Sequence, residues 1–263
     1  MIKDKEEELE RMTFWEHLDE FRSVIIRSVS TIALFSVIFF CFMEKIFDNF
    51  ILAPCSSDFI VYRSLCSLMT RLDIMNSLCD PFQVNLINYN LNAQFFVHLS
   101  TAFWLGLIFA FPMILYFLWS FVAPALYSNE KKGIVSAFAL GNVFFYSGIM
   151  VGYLFIFPVT LRFFATYQIS QLIENNISLE SYMSNFLTMI FLIGVVFELP
   201  LLCKLLSSMG FLRRGFFGKY RRHAIVVLMI ISALITPSDP FSMIVLFIPL
   251  WILYELSAYM VKK

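Results

Sequence analysis

Six apolar segments govern what this chain can become. The run from Leu99 to Val122 holds 24 residues without a charge, Ile134 to Leu161 holds 28, and Met183 to Cys203 holds 21 with Glu198 as its sole charge. From Val24 to Met43 only Arg27 interrupts, close enough to one end for a long side chain to reach the headgroups. Each of the four meets the roughly 20 residues that a helix needs to cross hydrocarbon. With 60% hydrophobic residues, 14% charged and a mean hydropathy of +0.79, the chain has too few charges to cover a water-facing surface. The expectation is an all-α integral membrane protein, with residues 1–263 forming a single polytopic membrane domain.

The last two runs are shorter. Ala224 to Ile235 gives 12 residues and Phe241 to Tyr254 gives 14, helices of about 18 and 21 Å at 1.5 Å per residue against hydrocarbon of about 30 Å. Thr236-Pro237-Ser238-Asp239-Pro240 between them must turn, because two prolines fix φ and remove two donors. The pair is either a re-entrant hairpin or two true spans in a thinned bilayer. Both return the chain to the same side. With the N-terminus inside, 15 of the 19 Lys and Arg residues fall on the inner face, so the positive-inside rule places both termini in the cytoplasm and residues 44–95 in a large outer loop. Residues 1–22 carry eight acids and four basic residues, which reads against a secretory signal and for a cytoplasmic amphipathic helix that runs along the surface into the first span.

Net charge is zero, so nucleic acid is not an expected partner. Three histidines without an HExxH string or a Cys/His cluster predict no metal and no cofactor. Cys55, Cys66 and Cys79 share the outer loop, where one pair can bridge and leave one thiol over; the pairing stays open.

Glu198 is the most informative single residue. Its neighbours one turn away, Gly194, Val195, Leu201 and Leu202, offer no partner. At that depth a carboxyl group must be neutral, meet a polar group or face water, so it is either hydrogen-bonded within the bundle or marks a pathway or docking surface. Pro200 removes a nearby backbone bond and predicts a bend. Glu20 and Glu130 both lie just outside a span on the inner face. Asp19 has Arg22 at i+3, whereas Glu20 has no cation one turn away. Alone, the two read as ordinary solvated surface acids or as a paired site.

His17-Leu18-Asp19-Glu20-Phe21-Arg22 resembles the HLxELR motif of TatC, the multi-spanning receptor subunit of the twin-arginine protein translocase. Phe111-Pro112-Met113-Ile114-Leu115-Tyr116, then Trp119 through Tyr127 with Glu130, resemble its second span and first inner loop. Phe197-Glu198-Leu199-Pro200 resembles its fourth span, and Thr236 through Ser242 its last turn. With Pro54 in the first outer loop, these matches run in order along nearly the whole chain. Phe21 stands where Leu is usual, and Ser238 replaces a second proline.

The resemblance implies a glove-shaped bundle of six transmembrane helices, the last two short, in the bacterial cytoplasmic membrane. It implies that Glu20 and Glu130 receive the paired arginines of a signal peptide, with Phe121 covering the peptide and Arg22 holding the acids. Two guanidinium forks suit two carboxylates, and Lys does not copy that geometry. Glu198 would face the concave side and meet a small single-span subunit of the TatA/TatB type, while Pro54 and Asp239 would shape turns. Further implied are self-association, lipid contact, export of folded proteins driven by the proton motive force, and no enzymatic activity. The rival is a proton-coupled small-solute transporter using Glu198; no internal repeat favours it. An intramembrane hydrolase is weaker, since Glu198 has no second acid, His or Ser motif beside it. Glu255 is expected as an anchor or a partner of Lys262 or Lys263.

Overall fold

The computed structural model describes residues 14–72, 82, 84–122, 128–170, 175–208, 212, 214–236 and 239–261. Nearly all of it is helix. Helix α1, Phe14–Ile46, is 33 residues long, about 50 Å at 1.5 Å per residue. The described part of the N-terminal helix is therefore continuous with the first span. A π-helical turn, Phe47–Ile51, and a 3-10 turn, Ala53–Cys55, then fold the chain back over the outer ends of the bundle. Helix α2, Ile60–Leu72, and strand β1, Leu86–Ile87, complete the first outer loop.

The second span is α3, Ala93–Val122. The third is α4, Ser128–Val151, joined through a π-helical turn, Gly152–Ile156, to α5, Phe157–Thr166. Pro158 stands in the first turn of α5, and the widened turn before it accommodates a residue that cannot donate backward along the helix. Strand β2, Ile177–Ser178, pairs in parallel with β1, Leu86 opposite Ile177, which ties the two outer loops together. The fourth span is α6, Leu179–Val196, and α7, Leu199–Ser208. They part at Phe197 and Glu198, where the backbone tightens (Glu198 N donates to Val195 O at 3.1 Å) just before Pro200. The bend expected from Pro200 is there.

A short helix, α8, Arg214–Lys219, leads into α9, Arg221–Ile235, and α10, Pro240–Met260. Among the described residues, five helical stretches are long and apolar enough to cross a membrane: Trp15–Cys55, Ala93–Phe121, Ala139–Thr166, Leu179–Ser207 and Pro240–Met260. Helix α9, with 15 residues, is about 22 Å long and makes the sixth element. Helix α10 runs 21 residues, well past the apolar segment that ends at Tyr254. Beyond that point the Glu255 carboxylate accepts from Arg221 Nε at 2.8 Å and from a second guanidinium nitrogen. Among the described residues Glu255 thus pairs with Arg221 across the hairpin; Lys262 and Lys263 lie outside them. This ion pair ties the start of α9 to the end of α10.

Glycines set the closest helix crossings. A Cβ on Gly148 would lie 2.9 Å from Gly194 Cα, and one on Gly194 would lie 2.7 Å from Ile149 Cδ1, so spans three and four meet backbone to backbone. A Cβ on Gly106 would lie 2.8 Å from Ser36 N, which brings spans one and two together. Dispersion from such close approach holds helices together where lipid removes the hydrophobic drive. Phe145, Met183, Met189 and Ile193 fill the core between spans three and four, while Ile26, Val29, Leu34 and Val37 of α1 face outward. That exposed apolar face suits lipid and not water.

Candidate functional site

On helix α1, His17, Glu20 and Phe21 lie three and four residues apart and so share one face. Phe121, at the end of α3, is brought against this face. Its ring stacks on His17 with centroids 4.2 Å apart and an 18° interplanar angle, and lies 5.4 Å from Phe21. Glu20 is half-buried beside them, and its Oε2 is shielded from solvent without a hydrogen-bond partner among the described residues. Arg22 is exposed, and among the described residues no ion pair joins it to Asp19 or Glu20. Glu130 lies in the first turn of α4, its side chain outside the described residues. The fold thus joins Phe121 to the Glu20 helix, and the acid keeps unfilled acceptor capacity. His17 and Phe21 were not singled out as site residues; the signal for them was their i and i+4 placement around Glu20.

Glu198 sits at the break between α6 and α7 and is 7% exposed. Among the described residues, neither of its carboxyl oxygens meets a hydrogen-bond donor. The group lies over Gly141 of α4: a Cβ there would come 3.0 Å from Oε2 and 2.6 Å from Leu201 Cδ2. Of the two readings open in the sequence, a carboxyl satisfied within the bundle lacks its partner here. An unmet buried acid is costly and marks a place where another polar group can enter.

A groove of about 1420 Å³ opens between α1, α3 and α6, walled by Val29, Val37, Phe40, Phe96, Trp104 and Leu187. Asn90 donates to Glu180 at 3.2 Å at its rim. Glu198 is not among the lining residues.

The outer end is bound quite differently. Tyr182 Oη donates to Ile51 O at 2.6 Å, Tyr153 Oη to Phe50 O at 2.8 Å, and Tyr62 Oη to Pro158 O at 2.9 Å and Pro54 O at 3.2 Å. Pro54 is buried in the 3-10 turn, so its part in the geometry is to present that carbonyl. Burial pushes the Tyr62 phenol above its ordinary range, with Cys55 adding to the rise. The Arg162 guanidinium lies 4.9 Å from the Phe82 ring centroid and 5.7 Å from that of Tyr62. Cys55 is free and buried, whereas Cys66 is in a disulfide; Cys79 lies outside the described residues. Asp239 caps α10, its Oδ2 accepting from Ser242 N at 2.6 Å. Among the described residues, no group of three or more His, Cys, Asp and Glu side chains gathers.

Comparison with known proteins places this architecture. Residues 16–249 match the family model for the Sec-independent protein translocase protein (TatC). A TatC from Blattabacterium sp. subsp. Periplaneta americana is 34% identical over 254 residues, covering 96% of this chain and 96% of that protein. One from Desulforapulum autotrophicum is 34% identical over 250 residues, covering 95% and 84%. A crystal structure of the twin arginine translocase receptor TatC superposes with a TM-score of 0.70 at 27% identity, covering 93% of this chain and 97% of that one. A second crystal structure of that receptor, in DDM, gives 0.75 at 27% identity, covering 94% and 100%.

Proposed function

We propose, from the premise that this chain belongs to the TatC family of Sec-independent protein translocase proteins, that its inner face seats the paired arginines of a signal peptide on Glu20 and Glu130. The chain is a multi-pass membrane protein and a component of a protein translocase, a family without enzymatic members among its named relatives. In our reading it sits in the bacterial cytoplasmic membrane as one membrane domain with both termini inside. It takes folded cargo through its signal peptide and hands it on to TatA/TatB-type single-span subunits, driven by the proton motive force.

The observation that carries the reading is Glu20. It is a half-buried carboxylate with an oxygen unmet among the described residues, on a face that the Phe121 ring covers. An arriving guanidinium supplies what that oxygen lacks in a charge-assisted pair, and the ring edge of Phe121 bounds the seat. Arg22, exposed and among the described residues not paired with Glu20, orients the peptide backbone or the acids once cargo is present. Glu198 is a point of contact for a polar group on a partner's span, reached through the break between α6 and α7.

The test is photo-crosslinking of a peptide bearing the arginine pair to the full chain in membranes. The Glu20→Ala, Glu130→Ala double variant should lose capture, and undiminished capture would reject the seat.

A further inference from the structure

From Leu199 to Ser238 the chain contains no acid, yet it holds six Lys and Arg residues and His223. Helix α8 lies at the centre of this stretch. It is anchored by Phe217, which is buried, lies tilted against Tyr254 with ring centroids 5.4 Å apart and accepts the Tyr254 hydroxyl at its carbonyl at 2.8 Å. The other side is left open: the rings of Phe216 and Tyr220, 4.5 Å apart, are 47% and 38% exposed. Lys219 lies 5.6 Å from the Tyr220 ring. Of the nearby cations, Arg221 is neutralised by Glu255. Lys204, Lys219 and Arg222 have no acidic partner among the described residues.

The level of this surface is fixed by the Arg221 to Glu255 pair, which closes the inner end of the short hairpin. Helix α9 is about 22 Å long against about 30 Å of hydrocarbon, so the bilayer beside it must thin and draw its headgroups toward the loop. Exposed rings flanked by unpaired cations at that level match an interface rich in anionic headgroups, the rings entering the acyl boundary and the cations meeting phosphate. An acidic protein segment would satisfy the charges but would not need the open rings or the mismatch.

We propose that the surface formed by Lys219 and Arg222 with Phe216 and Tyr220 binds anionic phospholipid, and that this lipid holds the thinned bilayer against the short helix α9. The surface is separate from the Glu20 seat, so it stands or falls apart from the signal-peptide reading.

The experiment uses the full chain in lipid nanodiscs of phosphatidylcholine, with spin-labelled phosphatidylglycerol or phosphatidylcholine as the probe. The unmodified chain should prefer phosphatidylglycerol, and the Lys219→Gln, Arg222→Gln variant should lose at least threefold of that preference, since each such cation contributes up to about fivefold. Salt at about 0.5 M should collapse the preference, while millimolar inorganic phosphate, with the total ionic strength held at its low-salt value, should leave it intact, separating a headgroup from a free anion. An unchanged preference in the double variant would overturn the proposal. Displacement of the labelled lipid by a soluble polyglutamate peptide would also overturn it, assigning the surface to a protein partner.

Discussion

The two ends of the bundle are built on opposite principles. At the outer end three tyrosine hydroxyls each meet a backbone carbonyl of another segment, and a parallel strand pair joins the loops. At the inner end Glu20 retains an unpartnered oxygen, Phe121 touches the acid's helix only through rings, and Arg22 is free of Glu20. Buried polar groups are normally satisfied because leaving one unmet costs about 1 to 3 kcal/mol. Where a protein spends hydrogen bonds it gains a fixed shape, and where it withholds them it keeps capacity for a ligand. The tyrosine-bound end is therefore the clamp that aligns spans one, three and four, and the end that carries Glu20 is the face to which the proposed function assigns cargo.

Charge reversal breaks this contrast most sharply. Glu20→Lys should reduce capture of an arginine-pair peptide by a hundredfold or more, because a cation replaces the acceptor, as read by crosslinking yield; thermal unfolding should move little. The packed bundle and its tyrosine-bound end should answer in stability instead. Gly148→Ala, which drives a methyl to 2.9 Å from Gly194 Cα, should destabilise the bundle by about 1 to 3 kcal/mol, measured by unfolding in detergent. Tyr182→Phe leaves the Ile51 carbonyl orphaned and should cost about 1 to 3 kcal/mol, with peptide capture by surviving protein unchanged; a loss of capture at equal stability would dissolve the distinction between the ends. Asp239→Ala removes the cap of α10 and should cost about 1 kcal/mol. The smallest effect is expected for Phe121→Ala, a few-fold weakening of capture from losing ring contacts worth about 0.5 to 1.5 kcal/mol.

Local features were legible in the sequence. The apolar runs gave the spans, Pro200 gave the break beside Glu198, and Thr236 to Pro240 gave the final turn, because each is set by period, length or the missing proline donor. Contacts between distant segments were not legible. Nothing in the spacing of Tyr62, Tyr153 and Tyr182 says that they converge on the carbonyls of residues 50 to 54 and 158, since those pairings span up to 131 positions. Glu255 finding Arg221 across the hairpin escaped for the same reason. The motif order pointed to Glu20 and Phe121 as candidates, but only the fold shows Phe121 resting on His17 and Phe21.

The central claim is that the inner acids read guanidinium geometry and not charge alone. The direct measurement is the affinity of the solubilised full chain for two signal peptides, one with an arginine pair and one with lysines in its place, repeated on the Glu20→Gln, Glu130→Gln variant. The account predicts tight binding of the arginine peptide, at least tenfold weaker binding of the lysine peptide, and near-equal weak binding of both by the variant. A variant that still prefers arginine as strongly as the unmodified chain would contradict it.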